Sequence, residues 1–250
     1  LGLETVYTDL NDLAKVKAAI SKKTRVIFFE TITNPQLEVV DIKALASLAK
    51  EHGILLVADS TVTPLNFLKP KELGLNIEVL SSTKYISGGA TSVGGLIVDY
   101  GNYDWKKNAK LADEAVKYGP FTLITKLKRE VFRNFGACLS PHNAYLQSMG
   151  LETLSLRAQK SSDNSQALAE FLSKQPKVKA VNYPGLAASK YHQIAKKQFG
   201  DKFGALLTLN LSDKQECFKF LNNLKLVRRA TNLNDNKTLA LHPASTIFCE

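Results

Sequence analysis

The stretch TRVIFFETITNPQLEVVDIKALASLAKEHGILLVAD, residues 24–59, decides the fold class. It begins with TRVIFFE at residues 24–30 and ends with ILLVAD at residues 54–59, and both apolar runs are typical of buried strands. A helix is predicted between them from an N-cap at Asp41 to a stop at Gly53, with apolar residues at helical spacing: Ile42, Leu45, Leu48 and Ala49. The pattern therefore predicts two buried strands joined by a helix.

Two more apolar runs follow, IEVLSS at residues 77–82 and GGLIVDY at residues 94–100. Continuous apolar strands separated by helices indicate a mostly parallel sheet with both faces covered. The predicted fold class is therefore α/β.

The character of the chain changes near residues 136–141, after which long helical patterning dominates. The later runs VKAVNYPG and FGALLTLNLS are typical of strands in a smaller α+β unit. We therefore predict a large α/β domain over residues 1–136 and a C-terminal α+β domain over residues 137–250.

The composition of the 250 residues, 44% hydrophobic and 22% charged, is ordinary for a globular protein. No apolar run reaches the roughly 18 residues of a membrane helix. The start shows no secretory signal, and a first residue of Leu predicts that part of the natural chain lies upstream. The cysteines and histidines are scattered, which predicts no disulfide, no metal and a reducing cytoplasm: Cys138, Cys217, Cys249, His52, His142, His192 and His242.

The net charge of +10 raises the possibility of a nucleic-acid partner. However, the lysines are spread through helical segments without interleaved aromatic residues or a binding motif. A solvated basic surface is the simplest interpretation, and a basic cleft that attracts anionic substrates is the alternative. We predict no nucleic-acid partner and no membrane partner.

Polar side chains follow three of the predicted strands at the ends where α/β sheets bind ligands. Each has an ordinary explanation as a turn residue, a backbone cap or a solvated amine. The residues are Asn34, Asp59, Ser81, Thr83 and Lys84. Taken together, they meet the needs of pyridoxal phosphate (PLP). A lysine binds the aldehyde, a carboxylate keeps the ring nitrogen protonated, hydroxyls and small-residue N–H groups bind the phosphate, and an amide contacts the phenolic oxygen.

Six motifs, in order from about Glu30 to Ser245, resemble the PLP-dependent enzymes of Cys/Met metabolism, which have the fold type I (aspartate aminotransferase-like) scaffold. They are ETITNPQLEVVDI, LLVADST, SSTKYISGG, SPHNAYLQSMGLETLSLR, NYPGL and DNKTLALHPAST. The resemblance implies that Lys84 binds the cofactor covalently. It also implies a role for each of the other residues: Asp59 at the pyridinium nitrogen, Asn34 near the phenolic oxygen, Ser81 and Thr83 at the phosphate, and Asn232 near the substrate carboxylate.

Within this family, GACLSPHNAYLQSMGLETLSLR and NDNKTLALHPAST are most similar to the O-acetylhomoserine sulfhydrylases. Asn232, where lyase relatives often carry Ser, indicates the same group. The resemblance implies a cytoplasmic enzyme of methionine biosynthesis, a tetramer built from dimers, that makes homocysteine from O-acetylhomoserine and sulfide. The alternatives are a γ-lyase, a cystathionine γ-synthase, or a catalytically silent homologue that serves as an assembly subunit.

The sequence departs from the family pattern at three positions. Gly89 replaces a usual His, which predicts altered loop packing, and Ser60 replaces an amide. Asn234 replaces a frequent Gly, which predicts a displaced backbone or the left-handed conformation that Asn tolerates. The family's ring-stacking aromatic, phosphate-binding glycines, Tyr/Arg pair and carboxylate-binding Arg are not found here. The resemblance therefore implies that the chain is truncated at both ends.

Overall fold

The computed structural model describes residues 2–63 and 66–248. Its main sheet has four strands in the order β1-β2-β3-β4, and β1, β2 and β3 are parallel while β4 is antiparallel to β3. The strands are β1 (Val26–Glu30), β2 (Leu55–Asp59), β3 (Ile77–Ser81) and β4 (Gly95–Asp99). The four predicted strands and the mostly parallel sheet are thus confirmed.

The predicted helix between β1 and β2 is α2 (Ile42–His52). The Asp41 carboxylate caps it by accepting a hydrogen bond from the Ala44 N–H at 3.0 Å. Gly53 ends it in the left-handed conformation, with φ of 65°. Ile42 and Leu45 are fully buried, so the predicted apolar face packs into the core.

The helices of the first half of the chain are short, and longer ones dominate the second half. The first-half helices are α1 (Leu13–Ala19), α3 (Pro70–Leu73), α4 (Ala112–Tyr118), α5 (Thr122–Lys126) and α6 (Arg133–Phe135), with a π-helical turn at Leu127–Phe132. The second-half helices are α7 (Pro141–Glu152), α8 (Leu154–Leu172), α9 (His192–Phe199) and α10 (Lys214–Asn223).

Two small sheets complete the second half. The strands β5 (Ala180–Asn182) and β6 (Thr208–Asn210) are antiparallel, and β7 (Arg228–Arg229) and β8 (Leu239–Ala240) are parallel. The strands predicted within VKAVNYPG and FGALLTLNLS are therefore present, but each is only three residues long.

The main apolar core contains residues from both sides of the predicted domain boundary, including Leu56 of β2 and Phe199 of α9. Gln198 links the two parts, because its side chain accepts from the Ile42 N–H at 2.8 Å and donates to the Val40 carbonyl at 3.0 Å. The boundary after residue 136 stays a prediction.

Burial within the sheet falls from the centre to the edges. Leu56 and Ala58 of β2 are fully buried, whereas Phe28 of β1 is 59% exposed and Ile97 of β4 is 52% exposed. The central strands thus have the covered faces that the apolar runs predicted. The edge strands leave apolar side chains exposed in this chain.

Among the described residues, no helix is both long and apolar enough to cross a membrane. The same part of the chain contains no cluster of three or more His, Cys, Asp or Glu side chains that could hold a metal ion. Cys138 and Cys217 are free thiols, and Cys249 lies outside the described residues.

Candidate active site

Lys84 lies in the turn that follows β3, at the carboxyl end of the parallel strands. Its backbone N–H donates to the Ser81 carbonyl at 3.3 Å, and its carbonyl accepts from the Gly88 N–H at 3.0 Å. The side chain is half-buried, and Nζ donates to Asn232 Oδ1 at 2.7 Å. The structure therefore brings together two predicted site residues that are 148 positions apart.

Asp59 is the last residue of β2, beside β3 in the sheet. Its Oδ1 accepts from the Thr61 N–H at 2.8 Å. The Thr61 hydroxyl in turn accepts from the Ser81 N–H at 2.8 Å. The loop that starts at Asp59 is thereby joined to the strand end that leads into Lys84.

Asn34 lies in the turn after β1, and its backbone N–H donates to Glu30 Oε2 at 2.8 Å. Glu30 is the last residue of β1 and pairs in register with Asp59. Burial raises the pKa of the Glu30 carboxyl, the Asn34 N–H opposes that rise, and the negative charge of Asp59 adds to it. Sequence reasoning missed Glu30, although its position at a strand end is the signal that identified Asp59.

The hydroxyl side chains after β3 differ in their surroundings. Thr83 Oγ1 donates to the Gly94 carbonyl at 3.3 Å and accepts from the Gly94 N–H at 3.1 Å. The buried hydroxyls of Ser82 and Ser60 have no hydrogen-bond partner in the part of the chain that the structure describes. Ser60 directly follows Asp59 and Ser82 directly follows Ser81, so unpaired buried hydroxyl oxygens flank both strand ends.

The loop that follows Lys84 is held by helix α8, and the side chain that holds it is Arg157. The guanidinium donates to the carbonyls of Tyr85 at 2.8 Å, Ile86 at 3.4 Å and Gly150 at 2.6 Å. Burial lowers the pKa of Arg157. Sequence reasoning missed this residue, because helical spacing does not show which carbonyls a charged side chain can reach.

The segment from Asn232 to Asn236 covers the site from the C-terminal half of the chain. The side chain of Asn234 donates to the Thr61 carbonyl at 2.9 Å, and the Asn236 N–H donates to the Gly88 carbonyl at 2.7 Å. Asn234 has φ of 55°, which confirms the left-handed conformation predicted for it. A Cβ at Gly89 would lie 3.2 Å from Asn236 Nδ2, so the Asn236 amide packs against this glycine.

These groups fit PLP, the cofactor that the sequence predicts. The neighbouring strand ends carry one amine, two carboxylates, an amide and several hydroxyls, and two of those buried hydroxyls are unpaired. An amine, an acid and hydrogen-bonding groups are what the aldehyde, the ring nitrogen and the phosphate require. The individual roles of Lys84, Asp59, Asn34, Ser81 and Thr83 remain predictions.

The family model described as Cys/Met metabolism PLP-dependent enzyme matches residues 1–250. A solved structure of O-acetylhomoserine sulfhydrylase from Wolinella succinogenes is 48% identical with a TM-score of 0.92, and the match covers 99% of this chain and 70% of that one. An L-methionine gamma-lyase of Fusobacterium nucleatum subsp. polymorphum is 39% identical over 246 residues, which are 98% of this chain and 57% of the relative.

A second solved structure, from Campylobacter jejuni, contains N'-pyridoxyl-lysine-5'-monophosphate in a protein assigned as an O-acetylhomoserine (thiol)-lyase. It is 34% identical with a TM-score of 0.89, and the match covers 95% of this chain and 60% of that one. The chain spans about 60% of the length of the curated relatives that it matches.

Proposed function

This chain belongs to the Cys/Met metabolism PLP-dependent enzyme family, and on that premise we propose that its protein replaces the acetate group on Cγ of O-acetyl-L-homoserine with sulfide. The products are L-homocysteine and acetate, as in a step of methionine biosynthesis. The observation that carries the proposal is the half-buried Lys84 amine, which donates to Asn232 at 2.7 Å. Lys84 follows β3, the strand that pairs with β2, and β2 ends at Asp59. The likeness to the Wolinella succinogenes sulfhydrylase supports this choice of reaction.

Five residues would hold the cofactor: Lys84 at the aldehyde, Asp59 at the ring nitrogen, Asn34 at the phenolic oxygen, and Ser81 and Thr83 at the phosphate. The pyridoxyl-lysine in the Campylobacter jejuni structure supports a lysine linkage. When bound, PLP supplies an electron-poor ring that accepts negative charge from the substrate Cα.

The chain's own groups then bind, orient and move protons. Lys84 Nζ acts as the general base that removes the proton from the substrate Cα and carries a proton at Cβ, so that the Cγ–O bond breaks and acetate leaves. Sulfide then bonds to Cγ, and protons return to Cβ and Cα to give homocysteine. Asn232 Oδ1 accepts a hydrogen bond from Nζ and orients the amine. The Asp59 carboxylate, fixed by the Thr61 N–H, holds the proton on the ring nitrogen.

The test uses the protein in its natural length, with PLP, O-acetyl-L-homoserine and sulfide. We expect a visible cofactor band that borohydride fixes covalently to Lys84. In Lys84→Ala we expect that band to disappear and homocysteine formation to fall on the order of 10³-fold, because the nucleophile and the base are both lost. Lys43→Ala, at an exposed position on α2, is the matched control and keeps both properties. A colourless wild-type protein, or a Lys84→Ala variant with full activity, would overturn the proposal.

A γ-lyase is the second candidate, since the Fusobacterium nucleatum relative carries that name at 39% identity. Elimination and replacement need the same lysine and diverge only after the γ-substituent has left the substrate. A panel of O-acetylhomoserine, O-succinylhomoserine, methionine and cystathionine separates them. We expect O-acetylhomoserine with sulfide to give the highest kcat/KM, and faster cleavage of methionine would select the lyase instead.

We also propose a homo-oligomer, a tetramer built as a dimer of dimers, that acts in the cytoplasm on a small amino-acid substrate. Large apolar side chains exposed near the π-helical turn support the oligomer: Val131, Phe132 and Phe135. The free thiols of Cys138 and Cys217 are compatible with a reducing compartment.

A further inference from the structure

The amide of Asn232 is held at both of its ends. Its Oδ1 accepts from Lys84 Nζ at 2.7 Å, and its Nδ2 donates to Asp235 Oδ2 at 2.9 Å. The second carboxylate oxygen, Oδ1 of Asp235, accepts from the Lys237 N–H at 3.0 Å and lies 3.7 Å from Lys237 Nζ. A continuous chain of polar contacts therefore runs from the lysine amine to a carboxylate whose side chain is only 9% exposed.

This arrangement selects one of the two orientations of the amide. The carbonyl and amino ends of an asparagine side chain have nearly the same shape, but only the oxygen can accept a hydrogen bond from an amine. An ionised carboxylate can only accept, so Asp235 pairs with the amino end and turns the oxygen toward Lys84. Without that carboxylate, an Asn232 amide rotated by 180° would present its own N–H groups to the Lys84 amine.

The backbone on either side of Asp235 is fixed by the two loops of the site. Asn234 donates to the Thr61 carbonyl, in the residue that caps the Asp59 side chain, and Asn236 donates to the Gly88 carbonyl, in the loop after Lys84. Asp235 thus lies between two anchored neighbours. The contacts of Asn234 and Asn236 therefore fix the position of the Asp235 carboxylate.

We propose that Asp235 is a positioning residue, which acts through the Asn232 amide to aim and hold the Lys84 amine. The expected effect of Asp235 on catalysis rests on the proposed function. The placement of the amine itself is a property of the chain without cofactor. Asp235 shares a hydrogen bond with Asn232, and Asn232 shares one with Lys84, so the effect of Asp235 passes through the Asn232 amide.

The first measurement uses the cofactor-free protein in its natural length. Lys84 is labelled with a trace of acetic anhydride at pH 7, and its modification is quantified by mass spectrometry against the other lysines. In Asp235→Asn the new amide can donate as well as accept, so the Asn232 amide is no longer held in one orientation and the Lys84 amine loses its fixed acceptor. We expect Lys84 to be labelled faster, on the order of threefold, because its amine is less engaged in a hydrogen bond, while the other lysines are unchanged. Asp213→Asn is the control, because it makes the same substitution at the N-cap of α10.

The second measurement is a double-mutant cycle with Asn232→Ala. If Asp235 acts only through the amide, Asp235→Asn added to Asn232→Ala changes neither the labelling rate nor kcat further. In the wild-type background we expect Asp235→Asn to lower kcat about tenfold with little change in KM, since orientation of the base affects the chemical step. Additive effects of the two substitutions would refute the relay.

Asp235→Glu and Asp235→Gln form a second pair of nearly equal size, for use if Asp235→Asn does not fold. Only the carboxylate variant is expected to keep Lys84 labelling close to that of the wild type, and equal labelling in the pair would overturn the inference. Failure of the two proposals is distinguishable. If Asp235→Asn alters the labelling of Lys84 but the wild-type protein has no sulfhydrylase activity, the proposed function is rejected. If Asp235→Asn has full activity and unaltered labelling, the role of Asp235 is rejected.

Discussion

At the residue scale, two carboxylates lie side by side where β1 and β2 end. Glu30 and Asp59 pair in register, and both side chains are partly buried. Burial is the main cause that raises the pKa of Glu30, and the charge of Asp59 acts in the same direction. The Asn34 N–H partly compensates, because it donates to Glu30 Oε2 at 2.8 Å. Glu30 is thus held where its ionised form is disfavoured.

This position makes the stability of the cofactor-free protein depend on pH in a predictable direction. The folded protein holds the Glu30 proton more tightly than the unfolded chain, where the carboxyl has its usual pKa of 4.5. The contribution of Glu30 to the free energy of unfolding therefore falls as pH rises from about that value through the raised folded-state pKa, and then stays constant. Below the usual value this contribution is fully present.

We expect Glu30→Gln to remove this loss, because Gln keeps an oxygen for the Asn34 N–H and carries no charge. Urea unfolding of the wild type and the variant between pH 4 and 8 gives the difference in unfolding free energy. That difference should shift in favour of the variant as pH rises. Glu51→Gln, at an exposed site at the end of α2, is the control. A shift in favour of the wild type would contradict a raised pKa of Glu30 in the folded protein.

Other residue-scale predictions depend only on local conformation, and the structure bears on them directly. Asn234 adopts the left-handed conformation that the replacement of a glycine by Asn suggested. At Gly89 the neighbour is the Asn236 amide, and a side chain larger than that of glycine would meet it. The sequence could predict a change in packing at Gly89, but not the residue that takes up the space.

At the element scale, α7 packs so closely on the loop after Lys84 that one of its positions must be glycine. A Cβ placed on Gly150 would clash with the Ile86 carbonyl oxygen and would lie 3.1 Å from the Ile86 carbonyl carbon. The Gly150 carbonyl also accepts from Arg157, which binds the Tyr85 and Ile86 carbonyls. Helices α7 and α8 therefore form one support beneath the Lys84 turn.

We expect Gly150→Ala to destabilise the protein by about 3 kcal/mol, the upper end of the cost of overpacking. In an unpacked helix the same change stabilises by about 1 kcal/mol, so the sign itself tests the contact. Thermal or urea unfolding measures the effect, and weaker retention of PLP should accompany it. Ser148→Ala on the same helix, at an exposed position, is expected to stay within about 0.5 kcal/mol of the wild type. A stabilised Gly150→Ala variant would show that the helix does not press on this loop.

At the scale of the whole molecule, one group of exposed apolar side chains lies where the first half of the chain leads into α7. Phe135 is 81% exposed, Phe132 is 53% exposed and Val131 is 47% exposed. Exposed apolar groups that lie close together commonly mark protein–protein interfaces. They support the proposed homo-oligomer and place its candidate interface beside the start of α7.

We expect the double variant Phe132→Glu/Phe135→Glu to have half the wild-type mass or less in light scattering, because buried carboxylates at an interface are costly. The control Lys110→Gln/Lys117→Gln makes the same change in net charge at exposed positions and should keep the wild-type mass. A wild-type monomer, or an unchanged mass in the phenylalanine variant, would contradict an interface here.

The sequence by itself determined the strands of the main sheet, the bounds and caps of α2, and the placement of Asp59 and Lys84 at strand ends. These features follow from periodicity, capping and turn chemistry, which act between residues close together in the chain. Only the tertiary structure decided that Asn232 faces Lys84, that Asp235 contacts the Asn232 amide, that Arg157 holds the next loop, and that Glu30 is partly desolvated. Contacts such as Lys84–Asn232 join positions 148 residues apart, and they arise from how whole elements pack, which no local pattern encodes.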